Sequence, residues 1–128
     1  MSEKARILLF HTKPEKAKQI EALCRKLHIQ VIRIKPSSYG QKLGYLAGIT
    51  GFHRESATYT GAEFPSEMMV FSGMDSDRLD VFLEEYKKAS IAPIGLKAIL
   101  TPHNIHWSAE ALYREIFQEH QNFMLSRL

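Results

Sequence analysis

The chain has 128 residues, 45% of them hydrophobic and 24% charged, with a net charge of +3. That is the size of one domain with one continuous core, read here as residues 1–128, and the composition excludes a disordered body. No apolar run approaches the roughly 20 residues that span a bilayer, and the single cysteine, Cys24, excludes an internal disulfide and a cysteine-rich metal site.

The first six residues lead into Ile7, Leu8, Leu9 and Phe10. This run is too short for the apolar region of a signal peptide, so the expected location is the cytoplasm. It has the continuous apolar character of a strand buried on both faces. Thr12 and Glu15 have capping-box spacing around Pro14 and predict a helix to about residue 27. Its stripe of Ala17, Ile20, Cys24 and Leu27 has helical core spacing, which makes Cys24 a buried small hydrophobe rather than a reactive thiol.

Residues 29–35 predict a second strand, rich in β-branched Val31, Ile32 and Ile34 and ended by Pro36. Ser38 and Gln41 form a second capping box ahead of a short helix to about Ala47. Gly40, Gly44 and Gly48 repeat every four residues along it. Each costs about 1 kcal/mol against alanine inside a helix, so either tight docking or a groove for a partner chain must offset them. Residues 49–66 show no period and carry Gly51, Gly61 and Pro65, which predicts a long loop. Phe52, Tyr59 and Phe64, beside His53 and Arg54, suggest a contact surface or a mobile segment there rather than a lid.

Residues 68–71 predict the third strand, and Asp75 with Asp77 caps a helix whose stripe is Leu79, Phe82, Leu83 and Tyr86. Residues 94–100 predict the fourth strand. Ser108 caps the last helix, with a stripe of Leu112, Tyr113, Ile116, Phe117, His120, Phe123 and Met124. The order βαβαβαβα predicts an α/β fold: a small three-layer domain with a four-stranded parallel sheet in the order 2-1-3-4. An antiparallel pairing of the first and third strands would contradict it.

Several pieces appear together in a familiar order. They are Tyr39-Gly40-Gln41 with Leu43-Gly44-Tyr45-Leu46, Phe71-Ser72-Gly73, Leu96-Lys97-Ala98 with Thr101, Asn104 and Trp107, and Glu119-His120. The chain resembles, over residues 37–48 and 67–120, a bacterial family known as domain of unknown function 3783. The resemblance implies a small stand-alone protein of similar fold, with no activity and no catalytic residues to carry over.

In a parallel sheet, ligands sit beyond the carboxyl ends of the strands where the order reverses. That rule gathers His11, Thr12, Lys13, Ser72, Gly73, Thr101 and Asn104 into one candidate site for a polar small molecule. Lys97 is a functional amine or, more simply, an edge lysine that blocks strand addition. Trp107 is a stacking platform or, with Leu112, a hydrophobic staple on the last helix. No Gly-rich phosphate loop is present, and Glu15, Asp75 and Asp77 occupy helix starts where a phosphate would bind. His103, His106, Glu119 and His120 match no common ligand spacing, so neither a metal nor a cofactor is expected.

Three functions compete. The first is a non-catalytic binding or regulatory interaction protein. The second is a small-molecule-binding protein or enzyme using a crevice at His11, Ser72, Thr101 and Asn104. The third is an RNA-associated protein, because residues 1–64 carry 11 Lys and Arg against 5 Asp and Glu. Clustering of Lys13, Lys16, Arg33, Lys35 and Lys42 on one face would support it, but no aromatic-interleaved basic motif is present and nucleic acid ranks last. A homodimer is expected. At about 1.5 Å per residue the last helix outruns strands of about 17–20 Å, carrying Phe123, Met124 and Leu128 beyond the sheet.

Overall fold

In the computed structural model, which describes residues 4–56 and 58–126, the first strand, β1 (Arg6–Phe10), feeds two separate cores. Ile7 and Leu9 belong to one apolar cluster and Leu8 and Phe10 to the other, as the period-two alternation of a strand requires. The remaining elements are α1 (Pro14–Lys26), β2 (Gln30–Ile34), a one-turn α2 (Leu43–Leu46), β3 (Met68–Ser72), α3 (Ser76–Lys88), β4 (Leu96–Ile99) and α4 (Ala109–Ser126). Short 3-10 turns lie at Pro36–Ser38 and Asn104–His106. Side chains of α1 and α3, among them Ile20, Cys24 and Phe82, share the first cluster with Met69 and Phe71. Leu43, Phe64, Leu112 and Tyr113 share the second with Met68 and Val70.

The four strands lie in the expected order, β2-β1-β3-β4. The sheet is nevertheless mixed, which corrects the wholly parallel arrangement. β1 pairs in parallel with β2, and β3 with β4, but β1 and β3 are antiparallel, with Arg6 opposite Ser72 and Phe10 opposite Met68. The cause is the connection between β2 and β3. A parallel crossover traverses a sheet face once, whereas this segment traverses it twice. Going out, it reaches the start of β1, where the Arg6 guanidinium donates to the Ala47 carbonyl at 2.7 Å. Residues 49–66 then come back along it. The Phe52 ring lies against Gly44, the Gln41 side chain exchanges two 2.8 Å bonds with the Glu55 backbone, and the Tyr59 amide donates to the Ser37 carbonyl. The chain re-enters the sheet beside Phe10, running the opposite way.

That doubled segment accounts for one of the three glycines, Gly44. A Cβ on Gly44 would lie 2.7 Å from the Phe52 ring, and Gly48 adopts a left-handed φ of 74° beside Arg6. Gly40 faces the Cβ of Tyr59. The close approach of the chain's own loop is at Gly44 alone; Gly40 and Gly48 lie outside α2, so the three glycines do not form one helix face. The loop holds no helix or strand among its described residues, yet Phe64 is 4% exposed, so this part of it is core rather than a mobile segment.

Both early capping boxes fail. α1 is capped by Lys13 with no side-chain bond, and Gln41 is spent on Glu55 rather than on a helix start. The later caps form: Asp75 accepts from the Arg78 amide at 2.8 Å and the Ser108 hydroxyl from the Ala111 amide at 3.1 Å. Cys24 is fully buried, and desolvation, with a smaller push from Glu21, raises its thiol pKa to about 12, so it is inert at neutral pH. No helix of the described residues is long and apolar enough to cross a membrane.

Candidate functional site

Among the described residues, three non-glycine residues adopt left-handed backbone: His11, His28 and Ser90. His28 and Ser90 directly follow the C-caps of α1 and α3, Leu27 and Ala89, where a left-handed residue is the ordinary helix terminator. His11 ends no helix. It turns the chain from β1 into α1 with a φ of 58°. That conformation costs an L-residue about 1–2 kcal/mol, and unexplained strain of this kind collects at binding sites.

The strained residue faces a built surface. Its Nδ1 lies 3.4 Å from Oε2 of Glu63. The other oxygen of Glu63 accepts from the Tyr39 hydroxyl at 2.5 Å and from the Phe64 amide at 2.8 Å. Tyr39 is completely buried, and its ring stacks on Phe64 at 3.9 Å, which in turn stacks on Tyr113 at 4.1 Å. Burial chiefly, and then the bond to Glu63, raise the Tyr39 pKa well above the usual phenol range, against a lowering bond from the His11 backbone. The hydroxyl therefore stays protonated and keeps donating to Glu63, which holds that carboxylate toward His11.

Two cavities meet at His11 and Lys13. The larger, about 430 Å3, is walled by Thr12, Pro14, Arg33, Ile34, Lys35 and Pro36, with Tyr39 and Glu63 behind. The smaller, about 380 Å3, is walled by Ser66, Glu67, Gly95, Leu96 and His120. Buried polar atoms are normally hydrogen-bonded, and exceptions call for an explanation. Among the described residues three buried side-chain atoms have no partner, Thr12 Oγ1, Glu67 Oε2 and Ser72 Oγ. Two of the three belong to residues that line these cavities.

The antiparallel centre divides the site expected from the sequence. His11, Thr12 and Lys13 lie at the carboxyl ends of β1 and β2, whereas Ser72 pairs with Arg6 at the other end of the sheet, with Gly73 following it. Thr101 and Asn104 lie beyond the end of β4, which runs parallel to β3 and so shares that far end. Their polar groups are spent on one another. The Thr101 amide donates to Asn104 Oδ1, the Asn104 amide to Thr101 Oγ1, and Asn104 Nδ2 to the Ile99 carbonyl. A single crevice joining His11, Ser72 and Asn104 does not form. Lys97 is exposed on the edge strand β4 and donates to the Ile94 carbonyl at 2.6 Å. Trp107 packs in the cluster that holds Leu112, as a staple does, with its ring edge-on to His103.

Of the five basic residues proposed to cluster, Lys13, Arg33 and Lys35 wall the larger cavity. Lys16 pairs with Glu67 at 2.5 Å beside the smaller one, and Lys42 lies apart, 3.5 Å from Glu55. Sequence reasoning missed Glu63, Glu67, Arg33 and Lys35 as members of the site, and Tyr39 entered only through the family resemblance. No local signal pointed to them, because Glu63 reaches β1 only through the return path of residues 49–66.

Residues 67–123, rather less than half of the chain, match the model of a family described as a domain of unknown function, DUF3783. The match takes in β3, α3, β4 and most of α4, and so includes Glu67 and His120 but not His11, Tyr39 or Glu63. No curated protein and no solved structure matches the chain.

Proposed function

We propose that this chain is a non-catalytic binding protein that holds a small polar molecule in the crevice where the two cavities meet at His11. One observation carries the reading: a strained histidine, unexplained by any helix end, lies between two cavities lined by buried polar groups without partners. Strain maintained at one point needs a return elsewhere, and a ligand contact supplies it. Catalysis finds less support, because Glu63 is engaged by Tyr39, Phe64 and His11. The setting we infer is the cytoplasm of a bacterium, with which a lone buried thiol is compatible.

Replacing His11 with glycine separates function from structure. Glycine takes a left-handed φ freely, so His11→Gly should leave the unfolding free energy unchanged or raise it by about 1 kcal/mol. The exposed pair with Glu63 is worth too little to reverse that sign. Backbone amide shifts of the intact chain, titrated with a set of small carboxylates, phosphates, amines and neutral alcohols, should move at residues 11–13, 33–35 and 63, and should stop moving in the variant. Shifts confined to other surfaces, or none, would overturn the reading. So would a loss of stability above about 2 kcal/mol, which would make His11 structural.

A homodimer is a second part of the proposal. Every residue of α4 from Gln118 to Leu125 is exposed, with Phe123, Met124 and Leu125 at 54%, 51% and 63%. Leu128, placed with them by the sequence, lies outside the described residues. Apolar side chains grouped at a protruding helix end mark an interaction surface. Light scattering at about 50 µM should give twice the chain mass, and Met124→Glu with Leu125→Glu should halve it. A monomeric mass for the intact protein would refute the dimer.

A further inference from the structure

Deepening the binding proposal, on which it rests, we propose that the larger cavity takes a small organic anion, its carboxylate or phosphate held by Lys13 and Lys35 and its apolar body lying against Ile34, Pro14 and Pro36. The charged residues that line this cavity differ in whether they already have a partner. Arg33 is committed: its Nε and Nη2 donate to the two oxygens of Glu21 at 3.0 and 2.6 Å. Glu63 is committed as well, with one oxygen taken by the Tyr39 hydroxyl and the Phe64 amide and the other turned to His11. Lys13 and Lys35 are not. Neither forms an ion pair among the described residues, and both line the same space.

Two uncommitted ammonium groups at one concavity repel one another, and an anion between them removes that repulsion as well as adding its own attraction. The low-dielectric walls of a cleft strengthen the field that it feels. Ile34, Pro14 and Pro36 offer no polar side-chain group and suit the hydrocarbon part of the ligand, while Thr12, whose buried Oγ1 has no partner, adds a neutral polar contact rather than a second charge. A space of about 430 Å3 is within the range of small-molecule sites and too small for a folded partner. The expectation from sequence that no phosphate would bind rested on acidic helix starts and on the missing Gly-rich loop. Asp75 caps α3, away from this cavity, but Glu15 lies in the first turn of α1, whose Lys13 and Pro14 line it, so the anion would be held by the lysine side chains and not by the helix start.

Benzoate, phenyl phosphate and benzyl alcohol have the same ring and differ in charge, which makes them suitable probes. Titrated into the full chain and followed by backbone amide shifts, the two anions should perturb residues 11–13 and 33–35, and benzyl alcohol should bind about tenfold more weakly or less. Lys13→Gln with Lys35→Gln should weaken the anions about tenfold or more, while Lys26→Gln with Lys87→Gln should not. Raising the salt from about 50 mM to about 500 mM should weaken them further. If benzyl alcohol binds at these residues as tightly as the anions, the crevice stands as a site and the anion assignment falls. If none of the three perturbs these residues, both fall. Equal anion affinity in the Lys13→Gln, Lys35→Gln variant would overturn the assignment alone.

Discussion

Phe64→Ala is expected to lower the unfolding free energy by about 3–5 kcal/mol, the range for a buried aromatic truncated to alanine. Phe64 is the middle ring of the stack that joins Tyr39 to Tyr113, and its ring also lies 6.2 Å from that of Phe10 on β1. It therefore joins three parts of the chain, β1, the turn before α2 and α4, at one point. Truncation leaves a cavity that neither neighbouring ring can close without leaving its other contacts. Urea unfolding should show the midpoint fall with an unchanged slope. The same change should broaden the His11 and Glu63 signals, since the Phe64 amide helps to hold Glu63. A loss below about 1 kcal/mol would mean that the returning loop is not part of the core.

Stability should also fall steeply on the alkaline side. The Tyr86 hydroxyl donates to the Ala92 carbonyl at 2.6 Å, and burial first, then the charge of Glu67, push its pKa up to about 12. Tyr39 is raised by burial and Glu63, and Cys24 is raised by burial to about 12. Each group has a folded pKa above its unfolded value, so the native state holds its proton more tightly. The contribution is complete below the unfolded values, near 9 for the thiol and 10 for the phenols, and is lost as the pH rises through about 12. At about 1.4 kcal/mol per unit, Tyr86 alone accounts for up to about 3 kcal/mol, less some solvent screening of its partly exposed ring. The urea midpoint, measured from pH 7 to 12, should be flat to about pH 9 and then decline. Tyr86→Phe should flatten the upper part of that decline. A midpoint level up to pH 12 would refute the assignment of these protonated groups to the core.

How far the site was legible depends on which residue is asked about. His11, Thr12 and Lys13 were identified from the general rule for strand ends, and they do line a cavity. Ser72, Gly73, Thr101 and Asn104 were assigned to the same place by the same rule, and its premise of a parallel centre fails between β1 and β3. Local hydrogen-bonding signals fared unevenly for a related reason. Asp75 and Ser108 make their cap bonds to the amides three residues on. Gln41 has cap spacing but meets the Glu55 backbone, and two bonds to a returning strand of chain outweigh one to a helix start.

Properties set by short-range periodicity were therefore settled by the sequence itself: the four strands, the α1 stripe with the burial of Cys24, and Phe82 as the buried centre of α3, although Leu83 of that stripe is exposed. Each depends on side-chain spacing along one element, which the chain carries wherever it goes. The direction of β3 relative to β1 depends instead on the path of a periodless connection, and no residue spacing encodes a path. Only the tertiary packing of Phe52 on Gly44 and of Phe64 between Tyr39 and Tyr113 turns that connection back. Reversing one strand then moves the carboxyl ends of β3 and β4 to the far edge of the sheet, and it leaves His11 facing Glu63 and the uncommitted lysines Lys13 and Lys35.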